Sequence, residues 1–401
     1  MNKTAICGLR AALVIVFLLI LLALGALILV GNYFYTFALD PNAKGGFGSA
    51  AGIVDSEYTR WLLKDSRDVS LISDDGLELH AYRVDGSVPH RYAVLCHGYQ
   101  NNATGMASYG KHLFDLGYTV LLPDARGHGE SEGDYIGMGW PERRDVVRWC
   151  QQLIAEDPEA EIVLYGVSMG AATVMMASGE ADLPVQVRCV IEDCGYTSVW
   201  DEFSGQLKEL FGLPPFPVLN AADLVCRIRA GYSITEASAL RQVERSVTPT
   251  LFIHGEEDTF VPFWMLEELY QAASCEKEKL AVPGAAHAES AAVAPELYWP
   301  AVDAFLAQQG TLLKPEFELA ISDMIVQFAR RNMGIGCVME GFAEDAIMRG
   351  EVFRLKFKHE MPLRHMCVVT GESSLISMPG RRLLDMMACG QAAVEQPTGG
   401  R

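Results

Sequence analysis

The sequence of 401 residues lacks the cysteine spacing of a disulfide or zinc framework, because its ten cysteines include no CxxC pair. We interpret these cysteines as individual small core residues, and we predict neither a metal site nor a cofactor. The chain also lacks an excess of basic residues. Its formal net charge is -19, and residues 311–401 carry as many basic as acidic side chains, so residues 1–310 hold the whole negative excess. This charge argues against a nucleic-acid partner.

One long apolar run lies near the N-terminus. Residues 11–30 (AALVIVFLLILLALGALILV) contain no charged side chain, and at about 1.5 Å per residue they match a hydrocarbon core of roughly 30 Å. Lys3 and Arg10 precede the run, so the positive-inside rule places the N-terminus in the cytoplasm. We predict a single-pass cell-membrane anchor over residues 1–36, with the rest of the chain outside. The alternative is a cleaved signal peptide.

The remaining chain divides into a linker, a folded domain and a C-terminal segment. Residues 37–59, rich in glycine and alanine, predict the linker. Residues 60–310 alternate helix-length stretches with short apolar runs: LELHAY (77–82), AVLC (93–96), TVLL (119–122), IVLY (162–165), CVIED (189–193), TLFIHG (250–255) and KLAVP (279–283). This alternation indicates an α/β fold with a mainly parallel central sheet. Residues 197–247 interrupt it and predict a cap insertion.

The strongest motif follows the run IVLY. Gly166-Val167-Ser168-Met169-Gly170 joins that predicted strand to the apolar stretch AATVMMAS, which predicts a helix. In a nucleophile elbow the serine occupies a strained turn, and the flanking glycines let neighbouring backbone pass without a side-chain clash. We therefore predict Ser168 as a catalytic nucleophile. The alternative is a Gly/Ser turn without chemistry.

A serine nucleophile needs a histidine base and a carboxylate that orients the histidine. In this type of fold the chain order is serine, acid, histidine. Asp258 follows TLFIHG and His287 follows KLAVP, so we predict them as the acid and the base. Other carboxylates remain alternatives for the acid: Glu256, Glu257 and Asp193. The histidines of HG and GHG turns are interpreted as structural: His97, His128 and His254.

The negative charge that forms on the substrate oxygen needs two backbone N–H donors. One comes from the residue after the nucleophile, and the other from the loop after an earlier strand. We predict the N–H groups of Met169 and Tyr99 as this oxyanion hole.

Several motifs in order resemble the α/β-hydrolase superfamily, in particular bacterial membrane-anchored hydrolases related to the prolyl-oligopeptidase-like group. They are CHGYQNN (96–102), DARGHGES (124–131), YGVSMGAAT (165–173), EDCGYTSVWDEF (192–203), HGEEDTFVP (254–262) and GAAHAES (284–290). The resemblance implies a cofactor-free serine hydrolase with Ser168, Asp258 and His287 as catalytic residues. We expect a carboxylic ester or other small acyl substrate, with Tyr135 and Trp140 near an apolar group. An exopeptidase or amidase with the same machinery is the alternative.

Residues 311–401 resemble the closing part of the effector-binding domain of LysR-type regulators, through the stretch 318–357 and the motifs MPLRHMCVVTG and SMPGRRLLDMM. GIGCVM and VFRLKF predict strands, and AEDAIMRG and RRLLDMM predict helices. The first half of that domain and its DNA-binding helices are absent from the pattern. We therefore expect a non-functional remnant, with a ligand-binding or regulatory fusion, or a pseudoenzyme, as the alternative of a different class.

Overall fold

The computed structural model describes residues 3–43, 56–311, 322–331, 336 and 338–354. The chain divides into two compact units, Met1–Pro315 and Glu316–Arg401. The glycine-rich part of the predicted linker, residues 44–55, and the predicted helix RRLLDMM lie outside the described residues.

Eight strands form one sheet in the order β1-β2-β4-β3-β5-β6-β7-β8. Their bounds are Arg67–Ile72 (β1), Glu78–Val84 (β2), Arg91–Cys96 (β3), Thr119–Pro123 (β4), Glu161–Val167 (β5), Val187–Asp193 (β6), Thr250–Gly255 (β7) and Lys277–Val282 (β8). β2 pairs antiparallel with β1 and β4, and the other neighbours are parallel. All seven predicted strands are confirmed. Strand β1 was not predicted, because most side chains of this edge strand are exposed and form no apolar run.

Helices fill the connections from β3 onward, and others precede β1 or follow β8. Their bounds are Lys3–Leu39 (α1), Glu57–Asp65 (α2), Ala107–Asp115 (α3), Glu142–Glu156 (α4), Met169–Ser178 (α5), Val199–Phe211 (α6), Pro215–Arg229 (α7), Ala239–Val243 (α8), Trp264–Ala272 (α9), Ser290–Val293 (α10), Pro295–Gln308 (α11), Ser322–Arg330 (α12) and Glu340–Met348 (α13). A short 3₁₀ turn, Ala103–Met106, precedes α3. The sheet and these helices give the mainly parallel α/β architecture expected from the alternating runs.

Side chains that alternate along the central strands build one apolar core on each face of the sheet. On one face, Leu95 and Tyr165 pack in a buried cluster with Phe305 of α11. On the other, Val94 and Leu164 lie in a cluster that includes Trp149, Leu153 and Val174 of α4 and α5. Because both faces are covered, the polar chemistry concentrates at the carboxyl ends of the strands, where parallel sheets place their functional groups.

Helix α1 is long and apolar enough to cross a membrane, a property that signal sequences share. Its described side chains over residues 13–30 are exposed apart from Leu27, which is half-buried, whereas Tyr35, Ala38 and Leu39 are buried. The helix therefore does not end at the predicted boundary of the anchor, residue 36. The helix continues through Leu39, because its last turns bury apolar side chains against the folded unit, and α2 already occupies the end of the segment predicted as linker.

The insertion between β6 and β7 is helical and holds α6, α7 and α8. Ser198 caps the N-terminus of α6, because its side chain accepts a hydrogen bond from the Asp201 N–H at 3.0 Å. It ends at Gly212 in the left-handed conformation, φ 65°. We call α6 and α7 the cap. They pack on the last turns of α1 in the same apolar cluster as Met169.

The first unit ends slightly later than predicted. Thr311 is fully buried, its carbonyl accepts a hydrogen bond from the Tyr118 hydroxyl at 2.6 Å, and its own hydroxyl donates to the Leu306 carbonyl at 3.0 Å. Gly310 therefore does not close the domain. In the second unit, α13 occupies most of the predicted helix AEDAIMRG. Residues 352–354 are not in a strand, and the rest of the predicted strand VFRLKF lies outside the described part of the chain.

We expect a chain that ends at Pro315 to keep kcat/KM within about twofold, a change far below 1 kcal/mol. The reason is that every predicted site residue lies in the first unit. A chain that ends at Gln309 is the comparison, because it loses Thr311 and leaves the buried Tyr118 hydroxyl without this acceptor. We expect its Tm to fall by roughly 2–4 °C, the effect of about 1 kcal/mol. Loss of activity in the chain ending at Pro315 would show that the second unit contributes to the activity.

Candidate active site

Ser168 lies in the sharp turn between β5 and α5. Its backbone adopts φ 57° and ψ -117°, a strained conformation for a residue with a side chain. A Cβ atom on Gly166 would lie 2.2 Å from the Gly170 carbonyl oxygen, and one on Gly170 would lie 2.0 Å from the Cys96 carbonyl oxygen. Only glycine fits at these two positions, so the GxSxG spacing follows directly from the crowding of the turn.

The structure brings His287 and Asp258 to this serine from the ends of two other strands. The Ser168 hydroxyl lies 2.8 Å from His287 Nε2, and His287 Nδ1 lies 2.7 Å from Asp258 Oδ2. With Nδ1–H donating to the carboxylate, Nε2 is left to accept the serine proton. This is the geometry that the nucleophile, base and acid of a serine hydrolase require.

Asp258 is held in place by its own loop. Its Oδ1 accepts hydrogen bonds from the N–H groups of Phe260 and Val261, both at 2.9 Å. Burial alone would raise the pKa of Asp258, but hydrogen bonds from His254 and His287 outweigh burial and bring that pKa to about 2. The carboxylate therefore stays ionised at neutral pH.

The alternative acids point elsewhere. Glu256 and Glu257 are exposed, whereas Asp258, the next residue, is buried. Asp193, at the end of β6, is buried and accepts a hydrogen bond from the Tyr298 hydroxyl at 2.9 Å. Burial raises the pKa of Asp193 to about 6. Of the four carboxylates considered, Asp258 is the one that the structure places on His287.

The other predicted structural histidines hold loops around the site. His97 Nε2 accepts from the Ala125 N–H at 3.0 Å, and His128 Nε2 accepts from the Gln100 N–H at 3.2 Å. Burial lowers the pKa of His97, and it brings the pKa of His128 to about 3. Both rings therefore stay neutral, as these acceptor roles require.

The loop after β3 passes beside the nucleophile. A Cβ atom on Gly98 would lie 3.4 Å from Ser168 Cβ, so the backbone immediately before Tyr99, a predicted oxyanion donor, passes close to the nucleophile. Met169, the other predicted donor, is the first residue of α5, where helix N–H groups have no acceptor within the helix. The Tyr99 hydroxyl donates to the Ala38 carbonyl at 2.7 Å. The end of α1 thus helps to position the loop that carries Tyr99.

We expect Tyr99→Phe to lower kcat by severalfold, within about tenfold, because one hydrogen bond of about 1 kcal/mol no longer holds this loop. KM should change little, since the phenyl ring keeps the contacts of the tyrosine. Steady-state kinetics on a soluble ester measure both constants. An unchanged kcat would show that the contact with Ala38 does not position the loop.

Sequence reasoning missed Glu202 of α6. This side chain is buried, with Gln206 Nε2 donating to its Oε1 at 3.0 Å. Burial raises the pKa of Glu202 to about 8, and the charge of Asp258 adds to that effect. Nothing in the sequence distinguishes this glutamate from a solvated one in the first turn of a helix.

The raised pKa of Glu202 predicts a pH-dependent stability. An unfolded glutamate ionises near pH 4.3, so as pH rises toward 8 the unfolded state gains a solvated charge that the folded state resists, and stability falls. We expect Glu202→Gln to raise Tm by several degrees at pH 8 and to leave it nearly unchanged at pH 4. The exposed Glu256→Gln serves as control. An equal Tm difference at both pH values would contradict the assignment.

Three donors in the described part of the chain could converge on a metal ion: one atom each of Cys194, Asp258 and His287, within 4.8 Å of one another. Burial raises the pKa of the Cys194 thiol well above its usual value, so the thiol is neutral and a weak ligand. The other two donors are hydrogen-bonded to each other. This set suits proton transfer better than metal binding.

The two aromatics proposed for substrate contact are Tyr135 and Trp140. They pack on the apolar cluster formed by the cap, the end of α1 and Met169, which we call the cap cluster. The Tyr135 ring lies 6.2 Å from the Tyr232 ring. Trp140 lies 3.6 Å beneath the guanidinium of Arg143. Both side chains have protein partners that explain their presence without a substrate.

Known proteins resemble this chain in sequence and in fold. Residues 87–192 match a family model described as serine aminopeptidase, S33. The solved esterase of Pyrococcus furiosus has the same fold, with a TM-score of 0.53 and 22% identity over 65% of this chain and 97% of the esterase. The chain has the α/β-hydrolase fold. It also resembles protein YqkD of Bacillus subtilis, at 29% identity over 58% of this chain and 76% of that protein.

Other relatives are more distant. A membrane protein of Saccharomyces cerevisiae is 24% identical over 61% of this chain and 83% of its own length. A lysophosphatidylserine lipase of Danio rerio is 27% identical over 42% of each chain. Residues 276–391 match the LysR substrate binding domain model. The start of that match, from β8 to α11, belongs to the hydrolase unit in the structure.

Proposed function

We propose that this chain is a membrane-anchored serine hydrolase that cleaves carboxylic esters through an acyl-serine intermediate. The Ser168 oxygen attacks the ester carbonyl, and His287 takes its proton and returns it to the leaving alcohol. Water then attacks the acyl-serine with the same histidine as base. Asp258 orients His287, and the N–H groups of Tyr99 and Met169 stabilise the oxyanion. The proposal rests on the hydrogen bonds of 2.8 and 2.7 Å that link Ser168, His287 and Asp258.

Two kinds of relative favour two substrate classes. The lysophosphatidylserine lipase of Danio rerio, named above, is an ester hydrolase by its name, whereas the matching family model carries the name of an aminopeptidase. Peptide amines are poorer leaving groups than alcohols, and an exopeptidase needs a binding site for a free terminus. The sequence carries no such motif, so we favour the ester.

A panel of p-nitrophenyl esters beside aminoacyl p-nitroanilides tests this choice. We expect turnover of the esters, and labelling of Ser168 by a fluorophosphonate probe. Turnover of the anilides alone would replace the ester proposal by the peptidase alternative. A properly folded chain with no Ser168-dependent label would favour a pseudoenzyme or binding role.

We propose further that α1 is retained as an anchor with the hydrolase outside the cell membrane. The length of the apolar run and the buried contacts of Tyr35, Ala38 and Leu39 support retention, because cleavage before these residues would expose apolar surface of the cap. Lys3 and Arg10 support the orientation. In intact cells a protease added outside should digest the hydrolase unit. Protection of that unit would reverse the topology.

A further inference from the structure

The exposed part of α1 ends against the cap helix α7. A Cβ atom on Gly31 would lie 2.6 Å from the backbone of Ala221, so the two helices touch through their main chains. The apolar run that precedes Gly31, residues 11–30, has about the length of a hydrocarbon core. If that run spans the membrane, α7 lies at the level where the hydrocarbon core ends.

Helix α7 carries apolar residues on the side that faces α1 and beyond it. At about 100° per residue, Pro217, Ala221, Leu224 and Ile228 fall within an arc of about 60°. Ala221 touches α1, while the other three side chains are exposed, Leu224 at 50% and Ile228 at 75%. We call Pro217, Leu224 and Ile228 the α7 stripe. The α7 stripe therefore lies on the same face of α7 as the contact with α1.

The opposite side of α7 is also apolar, because Leu219, Ala222, Val225 and Cys226 are buried in the cap cluster. A helix that is apolar on both sides needs a second apolar environment besides the protein core. The exposed stripe is therefore not explained by the packing of the hydrolase unit.

Side chains typical of a membrane interface surround this contact. The Arg229 guanidinium lies 4.3 Å above the Tyr35 ring, and its nitrogen lies 3.2 Å from Asn32 Oδ1. Phe211 packs its ring against Phe34 at 5.1 Å. Aromatic rings and arginine side chains with apolar stems concentrate at the boundary between hydrocarbon and water.

We infer that the α7 stripe lies in the interfacial region of the phospholipid bilayer that α1 crosses, so that the cap rests on the membrane. The inference depends on the anchor in the proposed function. The bilayer is the occupant that the observations favour, because the stripe shares one helix face with the contact to the membrane-spanning helix itself. A second copy of the chain is the other occupant to be tested.

The contact between α1 and α7 also affects how a substrate could reach Ser168. Leu219 of α7 and Leu39 of α1 belong to the buried apolar cluster that also contains Phe203 and Met169, the residue after the nucleophile. One buried apolar cluster thus joins the cap and the end of α1 to the residue that follows Ser168. An apolar acyl chain that enters from the bilayer rather than from water would lie along this cluster.

A fluorescence measurement tests the contact without any catalysis. Ile228→Cys and Val247→Cys, each labelled with an environment-sensitive fluorophore in the full chain, are reconstituted in phosphatidylcholine vesicles, with the labelled parent chain as blank. Val247 is the matched control, because it is 86% exposed and precedes β7, at the amino ends of the parallel strands and so at the opposite end of the strands from Ser168. We expect doxyl-phosphatidylcholine to quench position 228 by about half or more and position 247 hardly at all.

Equal quenching at the two positions would overturn the inference. A second result would also overturn it: the fluorophore at position 228 is shielded from water but not quenched by the lipid, and the shielding increases with protein density. That result would assign the stripe to a second copy of the chain.

A kinetic measurement tests the consequence for the substrate. We expect the double variant Leu224→Glu/Ile228→Glu to hydrolyse soluble p-nitrophenyl acetate at the parent rate and a bilayer-resident monoacylglycerol about tenfold more slowly, because carboxylates resist entering the interface. Val185→Glu/Val247→Glu, at comparably exposed positions, should change neither rate. An unchanged rate on the bilayer ester would overturn the substrate entry. If the parent chain hydrolyses neither ester, the proposed function fails instead, and the quenching result still stands.

Discussion

Replacing Ser168 with alanine is expected to lower ester hydrolysis by about 10⁴-fold or more while leaving the fold intact. The alanine keeps the Cβ atom and therefore the same backbone requirement at φ 57°. It removes only the hydroxyl that lies 2.8 Å from His287 Nε2. Without this oxygen no acyl-serine can form, and the remaining donors can only polarise the substrate for attack by water.

Turnover of p-nitrophenyl butyrate and thermal unfolding measure the two parts of this prediction. Ser204→Ala is the matched control, because that hydroxyl on α6 donates to the Trp200 carbonyl of its own helix. We expect it to retain parent activity. A Ser168→Ala chain that keeps a tenth or more of the parent rate would show that another group acts as the nucleophile.

Asp258→Asn is expected to lower kcat by about 10⁴-fold, the loss that the equivalent change causes in serine proteases. The asparagine oxygen can still accept hydrogen bonds from the N–H groups of Phe260 and Val261. In the parent chain these groups donate to Asp258 Oδ1 at 2.9 Å. Its NH₂ group then faces His287 Nδ1. The imidazole must carry its proton on Nε2 instead, and it can no longer accept the proton of Ser168.

Two substitutions of other carboxylates test whether the acid is correctly assigned. Glu257→Gln changes an exposed charge beside Asp258, and Asp193→Asn changes the buried carboxyl that bonds Tyr298. We expect both variants to stay within about tenfold of the parent kcat, the effect of one lost hydrogen bond. A loss at either position as large as that of Asp258→Asn would contradict the assignment.

Local patterns were enough to predict the fold and the position of the serine. Strands β3 to β7 are largely buried apolar runs, and β2 and β8 keep enough apolar side chains to be recognised along the chain. The elbow around Ser168 is equally local, because Gly166 and Gly170 are required by crowding within a few residues. The edge strand β1 was missed for the converse reason, since its exposed side chains leave no apolar signal.

The extent of the anchor could not be predicted from local pattern. Ala38 and Leu39 follow the long apolar run and precede a glycine-rich stretch, which suggested the start of a linker. Their burial depends on α6 and α7, far away in the sequence. Thr311 is a similar case, because its partner Tyr118 lies in another part of the chain.

The sequence by itself determined the α/β fold, the strained serine turn and the order of serine, acid and histidine, since these depend on residue type and near spacing. Only the tertiary structure decided that Asp258 rather than Glu256, Glu257 or Asp193 lies on His287, that Glu202 is buried, and that the cap packs on α1. The physical reason is common to all three. The direction and burial of a side chain are set by the segments that fold against it, and those segments are distant in the sequence.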